Sequence, residues 1–467
     1  MINKTSELIL SLSNSETKAI DRYLKSPLFN CNDQINQLFQ WIIKSKSENI
    51  NLQKAATFLS LTNLVTIPRL RYLLTDLNKN LEIFFALRKL MSDKAIYNTV
   101  LLEALSVKNC DKSFNAVYRS QTLNRQTANA NSWLQKFTAE EIRYIYYSTR
   151  QKRSISLHYD KLFLSLEAFY TAKKLQLQCE ILNSKTLITG NMHLLQGDEV
   201  YRLAQTDHLK DIPAVKIYYL ISLMLSEPDQ EKHFTEGLKF INKYKKLFPV
   251  EEEKDLYQYI KNYCVKKINE GHISYTRKLF EIYKSILDNK RLMNHDYFPQ
   301  WEFKNLVTIS LRLNESEWCR KFIDSYISYL SPPERLNAYN YNLAYLCWFE
   351  KKYNLSLKLL QKVEFTDVVY QLDSRAVILK IYYETSEEES LYYHLSAFKA
   401  FLRRNTAISE SLRIQYSNLI RYTAKLARHG WNKRKRLEIK NELKQDIRIA
   451  DKTWLEKQLD LLNSEKK

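Results

Sequence analysis

Glu251, Glu252, Glu253 and Asp255, and separately Glu387, Glu388 and Glu389, are the densest sets of carboxylates in the chain, the groups that paired acid and base chemistry would need. Both sets fall where helices are expected to begin. Negative side chains there are stabilised by the positive end of the helix dipole, so their expected role is structural. The eight histidines (158, 193, 208, 233, 272, 295, 394 and 429) form no HExxH and no pair at metal-ligand spacing, and none is assigned to a metal. The six cysteines (31, 110, 179, 264, 319 and 347) contain no CxxC; the closest two lie 28 residues apart. The segment GNMHLLQGDE at 190–199 holds two glycines but lacks the GK[ST] ending of a phosphate loop, and neither GxGxxG nor GxSxG occurs. No catalytic, cofactor-binding or metal-binding residue is expected, and the chain reads as a non-enzyme.

Charge offers the best candidate for binding. The formal net charge is +20, and residues 399–467 hold 18 Lys plus Arg against 8 Asp plus Glu. Such a balance favours anionic partners. Arg421, Lys425 and Arg428 share a helical face, and Lys433, Arg434, Lys435 and Arg436 form a cluster. Arg436, Lys440, Lys444 and Arg448 recur every fourth residue. Phosphate contacts need this kind of stripe. Glu438, Glu442, Asp446 and Asp451 interleave with it, so solvated ion pairs one helical turn apart are the competing reading. The 32 tyrosines cluster at 144, 146 and 147, at 257, 259 and 263, and at 382, 383, 392 and 393. Their rings suit stacked bases or a peptide anchor, but packing between helices with the hydroxyl reaching water explains most of them better.

The elements that must position these residues read as helices. Only 5 Gly and 8 Pro interrupt 467 residues, and strand alternation is nowhere sustained. From Leu336, the apolar positions Tyr339, Leu343, Ala344, Cys347 and Trp348 follow one helical stripe. Helix starts are expected at capping boxes, namely Ser13 with Glu16, Thr138 with Glu141, Asn314 with Glu317, Ser331 with Glu334, and Ser386 with Glu389. Pro332 would occupy the first position of its helix. Long helices are expected from Pro68 to about Met91 and from Thr138 to about Gln151, with loops at 121–131, 190–197 and 227–229. Gly430 would close a helix before the Lys433 to Arg436 cluster, and a last helix would end near Leu462. The longest apolar run, Ile217 to Leu225 broken by Ser222, is far shorter than a membrane span, and the opening residues make no signal-peptide core, so a cytoplasmic location is expected.

A helix, turn, helix unit recurs in the second half. NYC at Asn262, NLV at Asn305 and NLA at Asn342 lie 43 and 37 residues apart, and a looser copy, ILK, starts at Ile378. Each precedes a short polar break and a second amphipathic helix. These units resemble tetratricopeptide repeats, most clearly over 255–405. In YNLAYLCWFEKKYNLSLKLLQKV, Leu343 and Ala344 resemble the large and small residues of that family's first helix, and Tyr353 the aromatic opening its second. Ser356 stands where the family prefers Ala. ELILSLSNSETKAIDRYLKSPLFN, LEAFYTAKKLQLQCEIL and KIYYETSEEES are also similar to segments of a bacterial family of helical-repeat proteins that carries no assigned activity.

The expected fold is therefore all-α: a right-handed α-solenoid of stacked antiparallel helix pairs. Residues 1–130 would form an amino-terminal helical region, 131–406 the repeats, and 407–467 basic carboxyl-terminal helices. The expected function is a protein–protein interaction or scaffold role, with a protein or peptide partner and no cofactor. The alternative is nucleic-acid association through the basic carboxyl end. A broad positive groove would favour the alternative, and an apolar or mixed groove a protein ligand.

Overall fold

A computed structural model of the chain describes residues 4–45, 51–59, 66–122, 129–149, 159–185, 197–293, 297–363, 368–446 and 448–464. Among these the regular elements are all helices. None is long and apolar enough to cross a membrane. The chain divides into two compact units, residues 1–249 and 250–467.

In the first unit, helices Lys4–Leu10, Asn14–Leu24, Asp33–Ser45 and Leu52–Leu59 gather against the long helix Ile67–Ser92. Ile20, Leu38, Phe39, Leu70, Leu73, Leu77 and Leu81 form their shared core. Ser13 makes the expected capping box with Glu16, and Pro68 sits in the first turn of the long helix behind the Thr66 cap. Beyond it come Lys94–Lys108, Asp111–Thr122, Ala130–Ser148, Tyr159–Lys185, Gly197–Ala204, Pro213–Ser226 and Glu231–Tyr244. Thr138 does not start a helix. It lies inside Ala130–Ser148, where its hydroxyl bonds back to the Leu134 carbonyl at 3.0 Å. Asn129 is the cap instead. Of the expected loops, 227–229 is a turn. Residues 123–128 and 190–196 of the other two lie outside the described residues, as do His158, His193 and His295.

The second unit is a run of helix pairs. Val250–Asn269 pairs with Ser274–Leu287, Gln300–Arg312 with Ser316–Tyr326, and Arg335–Phe349 with Tyr353–Leu360. Val368–Glu384 pairs with Glu388–Arg404, Glu410–His429 with Lys433–Gln445, and Lys452–Ser464 follows. From Gln300 onward, first helices also pack against the next first helix, Gln300–Arg312 on Arg335–Phe349, then Val368–Glu384, then Glu410–His429. A helix clasped on two sides buries more than one stripe. Arg335–Phe349 buries Ala338, Tyr341, Ala344, Leu346 and Cys347, while Leu336, the expected start of its stripe, is 66% exposed. Ser356 is buried between the paired helices, where its hydroxyl donates to the Ala344 carbonyl at 2.8 Å.

Four of the turns between helices share one backbone geometry. Gly271, Asn314, Lys351 and Ser386 all have left-handed φ, of 98°, 59°, 60° and 58°. After each, the next amide bonds five residues back: His272 to Lys267, Glu315 to Ser310, Lys352 to Cys347 and Glu387 to Tyr382, at 2.8–3.0 Å. This is a Schellman closure of the first helix, repeated four times. It corrects two expected caps. Asn314 and Ser386 terminate the preceding helix rather than start the next, which begins at Ser316 and Glu388. Ser331 is no cap either, although its hydroxyl reaches Glu334 at 2.5 Å. Residues 332–334 are turn, and the helix starts at Arg335, so Pro332 is not its first residue.

Candidate functional site

The carboxylate clusters lie where helix dipoles hold them. Glu251, Glu252 and Glu253 are in the first turn of Val250–Asn269, and Glu388 and Glu389 open Glu388–Arg404, with Glu387 at its cap. Glu253 is fully buried and accepts from the Asn289 amide at 2.9 Å. Glu251 and Asp255 also line a 310 Å³ pocket. In its wall the Lys261 ammonium lies 2.5 Å from Glu302, both nearly buried. Burial pushes Lys261 down despite the opposing charge of Glu302, and burial with Glu251 nearby pushes the Asp255 carboxyl up. The buried thiols of Cys264 and Cys319 are unsuited to nucleophilic work. Burial pushes Cys264 up to about 12 and Cys319 up to about 11, so neither carries a thiolate near neutrality. Among the described residues, no three His, Cys, Asp or Glu side chains gather as a metal site would require.

The basic carboxyl end separates into three settings. Arg436 is a structural residue: it is 6% exposed, and its guanidinium donates to the Gly430 carbonyl at 2.8 Å and to Asn463 Oδ1 at 2.9 Å. Others face acids. Lys435 lies 2.8 Å from Glu438, with Arg434 at 3.7 Å from the same carboxylate. Lys440 lies 3.2 Å from Asp460, Arg421 lies 3.0 Å from Asp446 and Lys425 lies 2.5 Å from Glu442. Lys433, Lys444 and Arg448 are exposed. The interleaved acids thus neutralise much of the stripe, partly along one helix and partly across helices. Gly430 does close Glu410–His429, with right-handed φ of −62°. A Cβ there would meet the Leu426 carbonyl oxygen at 2.5 Å, so close approach is what requires glycine.

Arg421, Lys425 and Arg428 do share a face, and they face a groove of about 760 Å³ between Glu388–Arg404 and Glu410–His429. Leu395, Ile420 and Ala424 form its floor, and Lys399, Arg421, Lys425, Arg428 and His429 its rim; no carboxylate lines it. The groove is mixed, an apolar base under basic walls. Arg428 also covers the Tyr392 ring at 5.6 Å. Lys399 is the groove residue that the charge stripe did not single out. Its signal was the spacing of Tyr392, Leu395 and Lys399 at i, i+3 and i+7, which places them on one face. A second cavity of about 840 Å³ is walled by Tyr353, Tyr382, Tyr383, Trp431 and Leu461, among others.

Many of the tyrosines pack as expected. Tyr257, Tyr259 and Tyr263 are buried, and hydroxyls reach polar partners, as with Tyr353 on Glu384 at 2.8 Å and Tyr147 on Asn115 at 3.0 Å. No protein-family model matches the chain, and no curated protein and no solved structure matches it either.

Proposed function

We propose that this chain is a non-enzymatic interaction protein, cytoplasmic, whose helix pairs continue as a right-handed tetratricopeptide-like α-solenoid and present a surface to a protein partner. The observation that carries this reading is the mixed groove between Glu388–Arg404 and Glu410–His429, apolar at its base and basic at its rim. Protein ligands match such a surface because apolar contact supplies affinity while the charged rim selects and orients. The succession of Schellman-closed pairs supports the solenoid, since from Gln300 onward each first helix packs on the first helix of the next pair.

Cross-linking and affinity capture with the full chain, with and without nuclease, test the function. A reproducible protein partner that survives nuclease is expected. Recovery of nucleic acid alone would replace this reading with nucleic-acid association through exposed cations such as Lys433, Arg434 and Lys444. For the solenoid, X-ray scattering from the full chain should give an elongated particle, and a spherical one overturns it.

A further inference from the structure

We propose that the groove between Glu388–Arg404 and Glu410–His429 receives an acidic amphipathic helix of a partner protein, with carboxylates two helical turns apart flanking an apolar residue. The proposal rests on the interaction reading and names the partner's chemistry.

Charge comes first. The two helices carry seven Lys or Arg and three Glu; all three Glu lie in first turns and none of them lines the groove. Arg421 and Lys425 are already engaged by Asp446 and Glu442. Lys399 and Arg428, one on each wall, have no carboxylate within ion-pair distance among the described residues, and both are exposed. Charge complementarity therefore asks for two anionic groups.

Spacing follows from the antiparallel pairing. Arg428 lies over Tyr392, and Lys399 is two turns further along the same helix, about 10 Å at 1.5 Å per residue. On a partner helix laid along the groove that separation corresponds to positions i and i+7. Between them lie Leu395, Ile420 and Ala424, which an apolar side chain at i+3 or i+4 would cover. From Ser417 to Arg428 the lined wall runs about 16 Å, the length of three helical turns.

A single-stranded nucleic acid fits less well. Base stacking needs open aromatic faces, and the one tyrosine lining the groove is covered by Arg428. Along Lys433–Gln445 a phosphate track is interrupted, because Glu438 pairs with Arg434 and Lys435 and Asp460 with Lys440, which leaves Lys433 and Lys444 exposed at opposite ends of the helix.

The test uses the full chain and a labelled alanine-based peptide of about 15 residues, long enough to be partly helical, with Glu at i and i+7 and Leu at i+3 and i+4. Its Gln and Lys counterparts, and a single-stranded oligonucleotide of random sequence, are the other probes. The Glu peptide should bind about tenfold or more tightly than the Gln peptide at low salt. Lys399→Glu with Arg428→Glu should reverse that preference toward the Lys peptide, with thermal unfolding unchanged because both residues are exposed. Equal binding of all peptides overturns the proposal, as does a double variant that keeps its preference for Glu. Oligonucleotide binding that the double variant abolishes, without peptide binding, assigns the groove to nucleic acid. If the double variant still cross-links the wild-type partner, the groove is wrong and the interaction reading stands. If neither protein captures a partner while the Glu peptide binds as expected, the interaction reading fails and the groove's selectivity remains.

Discussion

Lys380 donates to Asp451 Oδ2 at 2.5 Å, joining residues 71 apart in sequence, and its side chain is only 1% exposed. The ammonium also sits 4.6 Å from the Trp348 ring centre. Burial alone would lower the Lys380 pKa, but the Asp451 carboxylate outweighs it and holds the pKa up. Burial acts on Asp451 in the opposite sense, and Lys380, with Arg312 and Lys304 beyond it, holds that carboxyl below its ordinary value.

Removing one partner leaves a buried charge, which costs about 3–5 kcal/mol. Asp451→Asn is the informative change, because Asn tolerates the left-handed φ of 50° that Asp451 adopts. Chemical denaturation at neutral pH should show that loss, and adding Lys380→Met should recover much of it. The sign with pH follows from the two directions. Asp451 contributes stability above its unfolded pKa, near 3.8, and loses it as pH falls through the lower folded value. Lys380 contributes below 10.5 and loses its contribution as pH rises through a higher folded value. The gap between wild type and Asp451→Asn should therefore close in acid; a gap that persists unchanged would mean the ion pair is not its cause.

The basic cluster should separate by burial. Arg436→Ala removes charged hydrogen bonds to Gly430 and Asn463 and should cost about 2 kcal/mol. Lys433→Ala and Arg434→Ala, at exposed positions, should change stability by about 0.5 kcal/mol or less. Urea midpoints of the three single variants decide this, and equal losses at all three positions would contradict the structural role of Arg436.

The repeated closures make a backbone prediction. Lys351 and Ser386 occupy the left-handed position that Gly271 fills in an earlier turn, and a side chain there costs roughly 1–2 kcal/mol. In urea unfolding, Lys351→Gly and Ser386→Gly should each raise the unfolding free energy by up to about 1 kcal/mol after the added chain entropy is subtracted. A loss of stability at both sites would show that their side chains matter more than their φ.

His394 carries an acid sensitivity. Burial pushes its imidazole below the ordinary 6.5, outweighing the hydrogen bond its ring makes to the Arg375 carbonyl, and the Arg375 charge lowers it further. With the folded pKa below the unfolded one, the unfolded chain binds the extra proton between the two values. Stability should then fall as pH drops below 6.5. His394→Gln keeps a donor for the Arg375 carbonyl without titrating. Thermal unfolding at pH about 7.5 and 5.5, either side of the ordinary histidine value, should show a larger acid loss for wild type than for the variant. Equal losses would place the sensitivity elsewhere.

What local sequence determined is what local physics controls. Helical period, the Ser13–Glu16 box and the start at Tyr353 were legible because each depends on residues within a turn or two of one another. Asn314 and Ser386 were misread for a local reason as well. Short polar residues suit both a helix cap and a left-handed closure, and the choice depends on where the preceding helix runs out. Only tertiary structure decided that Arg436 turns inward, that Lys425 meets Glu442 across two helices, that Lys380 meets Asp451, and that Lys399 joins Arg428 at one groove. Those outcomes depend on how one helix is rotated and shifted against another. Packing sets that geometry, and the 3.6-residue period of a single helix does not contain it.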